Sequence, residues 1–135
     1  MLSAKGLMMS SDYEAKGRHV LVDITGLRAD AEECLVWLAE NSRHILESEG
    51  VTIVGENRIV FDGSSSPQGF TFVLLLDESH FSAHCYALEG LLALDMFTCG
   101  GTDPKPLLDE LYLRIESKYP GVAIMQYAIK DRFIS

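Results

Sequence analysis

The chain has 135 residues, 47% of them hydrophobic and 23% charged, with a net charge of −9. This length predicts one domain, and the composition excludes disordered and fibrous proteins. We expect a cytoplasmic protein without a membrane helix, since no apolar run approaches the roughly 20 residues that a span requires. The acidic balance argues against nucleic acid and anionic membranes and favours a cationic ligand. Three widely spaced cysteines without a CxxC motif indicate neither a disulfide framework nor a zinc site.

The N-terminal third of the chain predicts a strand followed by a helix. Residues 1–17 mix small and charged residues without periodicity, which is typical of a flexible lead-in. The near alternation in residues 19–24 (HVLVDI) predicts a half-buried strand. Residues 30–48 carry an apolar stripe at helical spacing, with Asp30 as N-cap and Gly50 as the C-terminal stop.

The middle of the chain is rich in short apolar runs that predict strands. Residues 51–54 and 58–61 are separated by Gly-Glu-Asn, a pattern typical of a hairpin. Residues 63–69 (GSSSPQG) are too polar and flexible for an element and predict a loop. We expect three further strands after this loop, at residues 70–76, 81–86 and 91–97.

A second helix is predicted near the C-terminus. Asp103 is its candidate N-cap and Pro104 occupies its first turn. Pro120 and Gly121 end it, and residues 122–129 predict a closing strand. Spacings of i, i+3, i+4 and i+7 assign the buried face of the helix to Leu108, Leu111, Tyr112 and Ile115.

The predicted element order is β-α-β-β-β-β-β-α-β. Seven strands joined mostly by short turns, with two helices, predict an α+β fold: a two-layer αβ sandwich with both helices on one face of a mainly antiparallel sheet. Strands such as residues 70–76 (FTFVLLL) are apolar on both sides. We therefore expect a second copy to cover the other face, so that the domain dimerises into a multilayer assembly.

Residues 77–100 concentrate the polar residues that could carry chemistry. A lone Ser79 after a strand is usually a turn serine, and a lone His84 or Cys99 is more often a packed core residue. Their combination changes that interpretation, because His84 follows Ser79 by five residues and Cys99 follows it by twenty. With Glu-Ser-His at 78–80 and Thr-Cys-Gly at 98–100, this pattern resembles the S-adenosylmethionine decarboxylase family in its short bacterial and archaeal form.

The resemblance covers most of the chain and implies a self-cleaving proenzyme. It extends from Gly-Arg-His at 17–19 through Pro-Gln-Gly at 67–69 and is densest at 78–100. It implies that the hydroxyl of Ser79 attacks the carbonyl of Glu78. The chain, whose single domain spans residues 18–135, would thus be cut into a β chain (1–78) and an α chain (79–135).

The resemblance also implies the cofactor and the roles of Ser79, His84 and Cys99. Residue 79 becomes a covalent pyruvoyl group that forms a Schiff base with the substrate amine, so neither pyridoxal phosphate nor a metal is expected. His84 would assist processing, and Thr71, where the family often has serine, would place a hydroxyl against the same turn. Cys99 would be the general acid that reprotonates the α-carbon, a task suited to a thiol.

The predicted substrate pocket departs from the family pattern. The family usually has His-x-Phe before the proline, where this chain has Gly63 and Ser65. After the histidine the family usually reads Thr-Trp-Pro-Glu, and here the aromatic is kept as Tyr86 while Leu88 replaces the acid. Glu89 lies next to it, but a one-residue shift on a strand would point it to the opposite face.

These departures leave three hypotheses open. Loss of an adenine stack and a charged hydrogen bond would cost roughly two to four powers of ten in affinity for an adenosyl group. This slightly favours a decarboxylase of L-ornithine or L-arginine, with S-adenosylmethionine decarboxylase proper as the alternative; either product would feed polyamine synthesis. The third hypothesis is a catalytically silent partner of an active relative. The resemblance implies a homodimer of processed protomers with substrate sites near the interface.

Overall fold

Two helices separate runs of consecutive strands, as expected for an α+β fold. The computed structural model describes residues 16–99 and 101–134, together with the backbone of residues 3, 4, 6 and 7. No helix among these residues is long and apolar enough to span a membrane. The elements are β1 (Ser3–Ala4), β2 (Gly6–Leu7), β3 (Gly17–Thr25), α1 (Ala31–Ser48), β4 (Ile53–Phe61), β5 (Gly69–Leu76), β6 (Ser79–Tyr86), β7 (Leu91–Cys99), α2 (Pro104–Lys118) and β8 (Ala123–Arg132).

Six strands form one antiparallel sheet in the order β4-β5-β6-β7-β3-β8. Helix α1 packs on β4 and β5, α2 packs on β3 and β7, and the two helices touch each other. The predicted α+β class, with two helices on a mainly antiparallel sheet, is confirmed. The predicted lead-in at residues 1–17 falls largely outside the described residues, although Gly17 already belongs to β3.

Both helices begin where their capping residues predict. The Asp30 carboxylate accepts a hydrogen bond from the backbone N–H of Glu33, and the Asp103 carboxylate accepts one from Lys105. Pro104 starts α2, where its missing N–H costs nothing. Gly50, with φ of +79°, turns the chain after α1 in the left-handed region that glycine tolerates best.

The predicted hairpin at residues 51–61 is wrong. Ile53–Phe61 is one strand that pairs with β5 from end to end, with a register shift between Ile53 and Gly55. A two-residue hairpin turn usually needs positive φ, and no residue between 53 and 61 has it. Glu56 instead binds Arg43 of α1 and Arg58 of the same strand. The Gly-Glu-Asn segment therefore makes a bulged strand rather than a turn.

One face of the sheet is buried under the helices and the other is open. Alternate residues along β5, β6, β7 and β3, among them Phe72, Phe81 and Val20, are fully buried beneath α1 and α2. On the open face, Leu21 and Leu75 are 38% and 51% exposed. An apolar sheet face that water can reach fits the expectation of a covering partner, and that dimer stays a prediction.

Candidate active site

The turn between β5 and β6 holds the predicted cleavage point in an unusual conformation. Leu76 pairs with Ser79, so only Asp77 and Glu78 form the turn. Glu78 has φ of 61°, a left-handed conformation that costs a non-glycine residue about 1–2 kcal/mol. The backbone N–H of Asp77 donates to the carbonyl of Thr52 at 3.2 Å, which anchors the turn to the segment after α1. Strain is therefore concentrated at the residue whose carbonyl Ser79 is predicted to attack.

Ser79 and Cys99 meet at one end of the sheet. The backbone N–H of Cys99 donates to Ser79 Oγ at 3.1 Å. A donor aimed at this oxygen stabilises negative charge that develops on it, which favours loss of its proton. Thr98 Oγ1 donates to the carbonyl of Thr102 at 2.6 Å and fixes the start of the following loop. The cavity at this end has a volume of about 190 Å³ and is lined by Gly50, Val51, Thr52, Asp77, Ser79, Thr98, Cys99 and Thr102.

His84 lies away from Ser79 in the single chain. It is exposed on the open face, paired in register with Thr71 of β5, and Thr71 Oγ1 and His84 Nδ1 share a hydrogen bond of 3.1 Å. Five residues of strand separate Ser79 from His84, a distance of about 17 Å. Thr71 therefore does not lie against the turn of its own chain, contrary to our expectation. The predicted trio is therefore split between two places: Ser79 lies beside Cys99, whereas His84 lies beside Thr71.

The Thr71–His84 pair opens into a second cavity, of about 210 Å³. Phe61 from the end of β4 and Tyr86 from the end of β6 border it, together with the buried Phe70 of β5. Gly69 permits the close strand approach there, since a Cβ at this position would lie 1.8 Å from the carbonyl oxygen of Cys85. The lining residues are Phe61, Ser66, Pro67, Phe70, Thr71, His84, Cys85 and Tyr86.

The sequence analysis missed Phe61 and misplaced three other pocket residues. Phe61 precedes the Pro-Gln-Gly segment by six residues, outside the family motif, and only the pairing of β4 with β5 brings it to the cavity. Ser65 is exposed, and its neighbour Ser66 lines the cavity instead. Leu88 and Glu89 lie exposed in the turn between β6 and β7, so the argument that placed Glu89 on the opposite face of a strand is wrong.

Two cysteines near this region are core residues. Cys34 is 1% exposed and Cys85 is 5% exposed. Burial raises the pKa of the Cys34 thiol, and burial with the neighbouring Cys34 raises the pKa of Cys85 to about 12. Both thiols are protonated at neutral pH and unsuited to nucleophilic chemistry. Cys99, whose backbone N–H contacts Ser79 Oγ, is the half-buried cysteine.

The sequence was compared with those of known proteins and matches a protein family. A profile described as S-adenosylmethionine decarboxylase matches residues 18–126. The chain belongs to the S-adenosylmethionine decarboxylase family. A proenzyme of that name from Symbiobacterium thermophilum is 36% identical over 110 residues, 81% of this chain and 80% of the relative. One from Brevibacillus brevis is 39% identical over 101 residues, 74% and 73% of the two chains.

The fold is shared as well. The crystal structure of the adenosylmethionine decarboxylase from Aquifex aeolicus aligns with a TM-score of 0.67 over 91% of this chain and 95% of that one, at 24% identity. S-adenosylmethionine decarboxylase proenzymes generate a pyruvoyl group from their own chain and act as pyruvoyl-dependent carboxy-lyases. The enzyme class and the self-generated pyruvoyl cofactor that the family resemblance implies are thus confirmed.

Proposed function

We propose that the chain is a self-processing decarboxylase of S-adenosylmethionine whose complete active site forms between two copies. The observation that carries this is the hydrogen bond from the Cys99 N–H to Ser79 Oγ, made directly beside the left-handed Glu78. A hydroxyl with a stabilised oxygen next to a strained peptide is the arrangement that internal acyl transfer needs.

Processing begins at the Glu78–Ser79 peptide. Ser79 Oγ adds to the Glu78 carbonyl carbon as its proton passes to a base, and the carbon–nitrogen bond then breaks to leave an ester and a free amine. Loss of the Ser79 α-proton expels the Glu78 carboxylate and divides the chain. The dehydroalanine left at residue 79 tautomerises to an imine, and hydrolysis of that imine releases ammonia and leaves a pyruvoyl group. The products are chains of 78 and 57 residues.

The base for this step comes from a second copy. The structure holds Thr71 and His84 about 17 Å along the strand from Ser79, on the open face. A two-fold axis lying in the interface, perpendicular to the strands, would place the Ser79 end of one protomer over the His84 end of its partner. Such a symmetric pairing creates two identical sites and buries the exposed Leu21 and Leu75.

The residues at the sheet end fit a pyruvoyl group. The Cys99 N–H that holds Ser79 Oγ lies beside the position where the ketone would form, and a cavity is already present there. When formed, the group supplies an electron sink for the pair of electrons left as carbon dioxide departs. The Cys99 thiol, half-buried at the same place, then donates a proton to the substrate α-carbon.

The aromatic cavity favours an adenosyl substrate over a slim amino acid. Phe61 and Tyr86 offer ring faces for an adenine, worth about 1–3 kcal/mol per stacked base. Phe61 thereby compensates for the serine that stands where the family has phenylalanine. All relatives named above are S-adenosylmethionine decarboxylases, and none supports the ornithine or arginine specificity that the sequence favoured.

Intact mass and substrate turnover test this function together. We expect the purified protein to give chains divided between Glu78 and Ser79, and Ser79→Ala to give one uncut chain of 135 residues. The matched control, Ser48→Ala, should cleave normally. The cleaved protein should release carbon dioxide from S-adenosylmethionine with far higher kcat/KM than from ornithine or arginine. Reversed preference would restore the amino-acid hypothesis, and an uncut wild-type chain would favour the silent partner.

A further inference from the structure

Three metal-ligating side chains from three neighbouring strands meet on the open face of the sheet. His19 of β3 and His80 of β6 are both in register with Phe97 of β7, one on each side of it. Asp95 lies two residues before Phe97 on the same face of the central strand. The two imidazole rings therefore converge from opposite sides over the Asp95 carboxylate.

The donor atoms of these residues are close enough to share one ion. His80 Nε2 lies 3.0 Å and His19 Nε2 lies 3.3 Å from the same oxygen, Asp95 Oδ1. All three donor atoms lie within 4.8 Å of one another. Two ligands of a tetrahedral zinc ion, each about 2.0–2.2 Å from the metal, are about 3.3 Å apart. The two histidine–aspartate separations are thus close to the ligand–ligand separations around a bound metal.

His19 Nε2 is a buried nitrogen for which the described residues provide no hydrogen bond. It is buried, and its approach to Asp95 does not have hydrogen-bond geometry, so it has no hydrogen-bond partner among the described residues. Buried polar nitrogens rarely lack a hydrogen-bond partner, because each unsatisfied buried group lowers the stability of the folded protein by about 1–3 kcal/mol. A metal ion bound between the two imidazoles would satisfy this lone pair while His80 and Asp95 complete the set.

We propose that His19, His80 and Asp95 form a divalent metal site of two imidazoles and one carboxylate. This donor set suits zinc, cobalt or nickel better than magnesium or calcium, which prefer oxygen ligands. The His80 side chain is 38% exposed, so an ion can enter from that side and keep water in its remaining positions. The ion would tie β3, β6 and β7 together and fix the residue that follows Ser79. The sequence shows no metal cluster, because only strand pairing brings these three residues together.

Metal titration of the uncleaved chain tests the site without reliance on decarboxylase activity. Ser79→Ala protein, stripped with a chelator, is titrated with Co²⁺ by visible absorption and with Zn²⁺ by calorimetry. We expect one equivalent of metal, bound at least tenfold more weakly after His19→Gln or Asp95→Asn in that background. His44→Gln is the matched control, since His44 contacts Arg114 on the helical side, and it should bind as the parent does.

A second variant and a stability measurement distinguish loss of the metal site from unfolding of the variant. His80→Gln alters the more exposed histidine and should also weaken binding at least tenfold while its circular dichroism stays that of the parent. Zn²⁺ should raise the Tm of the parent and of His44→Gln but not that of Asp95→Asn. Failure of the parent to bind one equivalent, or undiminished binding by folded His19→Gln and His80→Gln, would overturn the site.

Discussion

Thr71 and His84 face each other across β5 and β6, with Thr71 Oγ1 3.1 Å from His84 Nδ1. Both lie on the open face, whereas Ser79 and Cys99 meet at the far end of the same strands. A histidine about 17 Å from the serine cannot exchange a proton with it in one chain. The separation makes the second copy a chemical requirement of the proposed site, as well as a cover for apolar surface.

Mixed dimers test this arrangement. Ser79→Ala and His84→Ala should each abolish processing or activity alone, but the two chains produced together should regain roughly a quarter of wild-type decarboxylation. Random pairing makes half of the dimers mixed, and each mixed dimer holds one complete site. The matched control combines Ser79→Ala with Cys99→Ala. These residues belong to one half-site, so no activity should return.

Rescue by the control pair, or none by the first pair, would contradict a site shared in this way. Turnover of S-adenosylmethionine and the intact masses of the purified mixtures report both steps. A tag on only one of the two chains allows the mixed dimers to be isolated and assayed alone.

The left-handed Glu78 predicts a stability change that glycine should reveal. In the uncleaved Ser79→Ala chain, Glu78→Gly should raise the free energy of unfolding by about 0.5–1 kcal/mol, since glycine removes the conformational penalty but gains freedom when unfolded. Asp77→Gly, in the same turn without positive φ, should lower it. Urea unfolding measures both. Equal losses in the two variants would show that the turn stores no strain.

Local signals predicted most of the fold. Asp30 and Asp103 mark the helix starts because a capping carboxylate accepts a hydrogen bond from a backbone N–H only two or three residues away. The hairpin at 51–61 was mispredicted because glycine followed by polar residues suits a turn and a bulge alike. The long-range pairing of β4 with β5 decided between them, and no local pattern contains that information.

The site was harder to predict, because spacing along the chain says little about faces. The spacing of Ser79, His84 and Cys99 along the chain identified them as a group. Ser79 and His84 are nevertheless an odd number of residues apart on one strand, so His84 lies on the open face and five residues along the strand from Ser79. The sequence did not reveal the roles of Phe61 and His19 for a related reason: only strand pairing brings each of them to its cluster. The pairing register of the strands determines which residues become neighbours in this way. That register depends on side chains from distant segments acting together.

Phe61 should determine affinity for the adenosyl group. Phe61→Ala should raise the KM for S-adenosylmethionine roughly tenfold or more with little change in kcat, because a lost stack of about 1–3 kcal/mol weakens ground-state and transition-state binding alike. Phe61→Tyr should keep the wild-type KM. Phe133→Ala, which removes a 65% exposed ring beyond β8, is the matched control. An unchanged KM in Phe61→Ala would place the adenine elsewhere.

The three cysteines should differ sharply toward an alkylating reagent. Iodoacetamide at pH 8 should label the native protein once, at Cys99, since burial raises the pKa of Cys34 and brings that of Cys85 to about 12. In urea all three should react. Peptide mass spectrometry locates the label, and Cys99→Ser should abolish native labelling. Labelling of Cys34 or Cys85 in the folded protein would contradict their burial beneath the helices.

The bulged β4 strand should make stability depend on pH through Glu56. Burial alone would raise the pKa of Glu56, but hydrogen bonds from Arg58 and Arg43 outweigh it and hold the pKa below its ordinary value of 4.5. The unfolded chain therefore binds a proton more readily than the folded one. The stabilisation by Glu56 is present above about pH 4.5 and is lost as the pH falls through the lower, folded pKa.

Replacement of Glu56 isolates this contribution. Glu56→Gln should lower the free energy of unfolding at pH 7 by at most about 1 kcal/mol, because the side chains of Arg43 and Arg58 remain well exposed to water. The difference from wild type should shrink as the pH falls below 4.5. In a background with Arg43→Ala and Arg58→Ala, Glu56→Gln should cost little at any pH. A difference that persists undiminished at pH 3 would mean that packing, rather than the ion pairs, supplies the stabilisation.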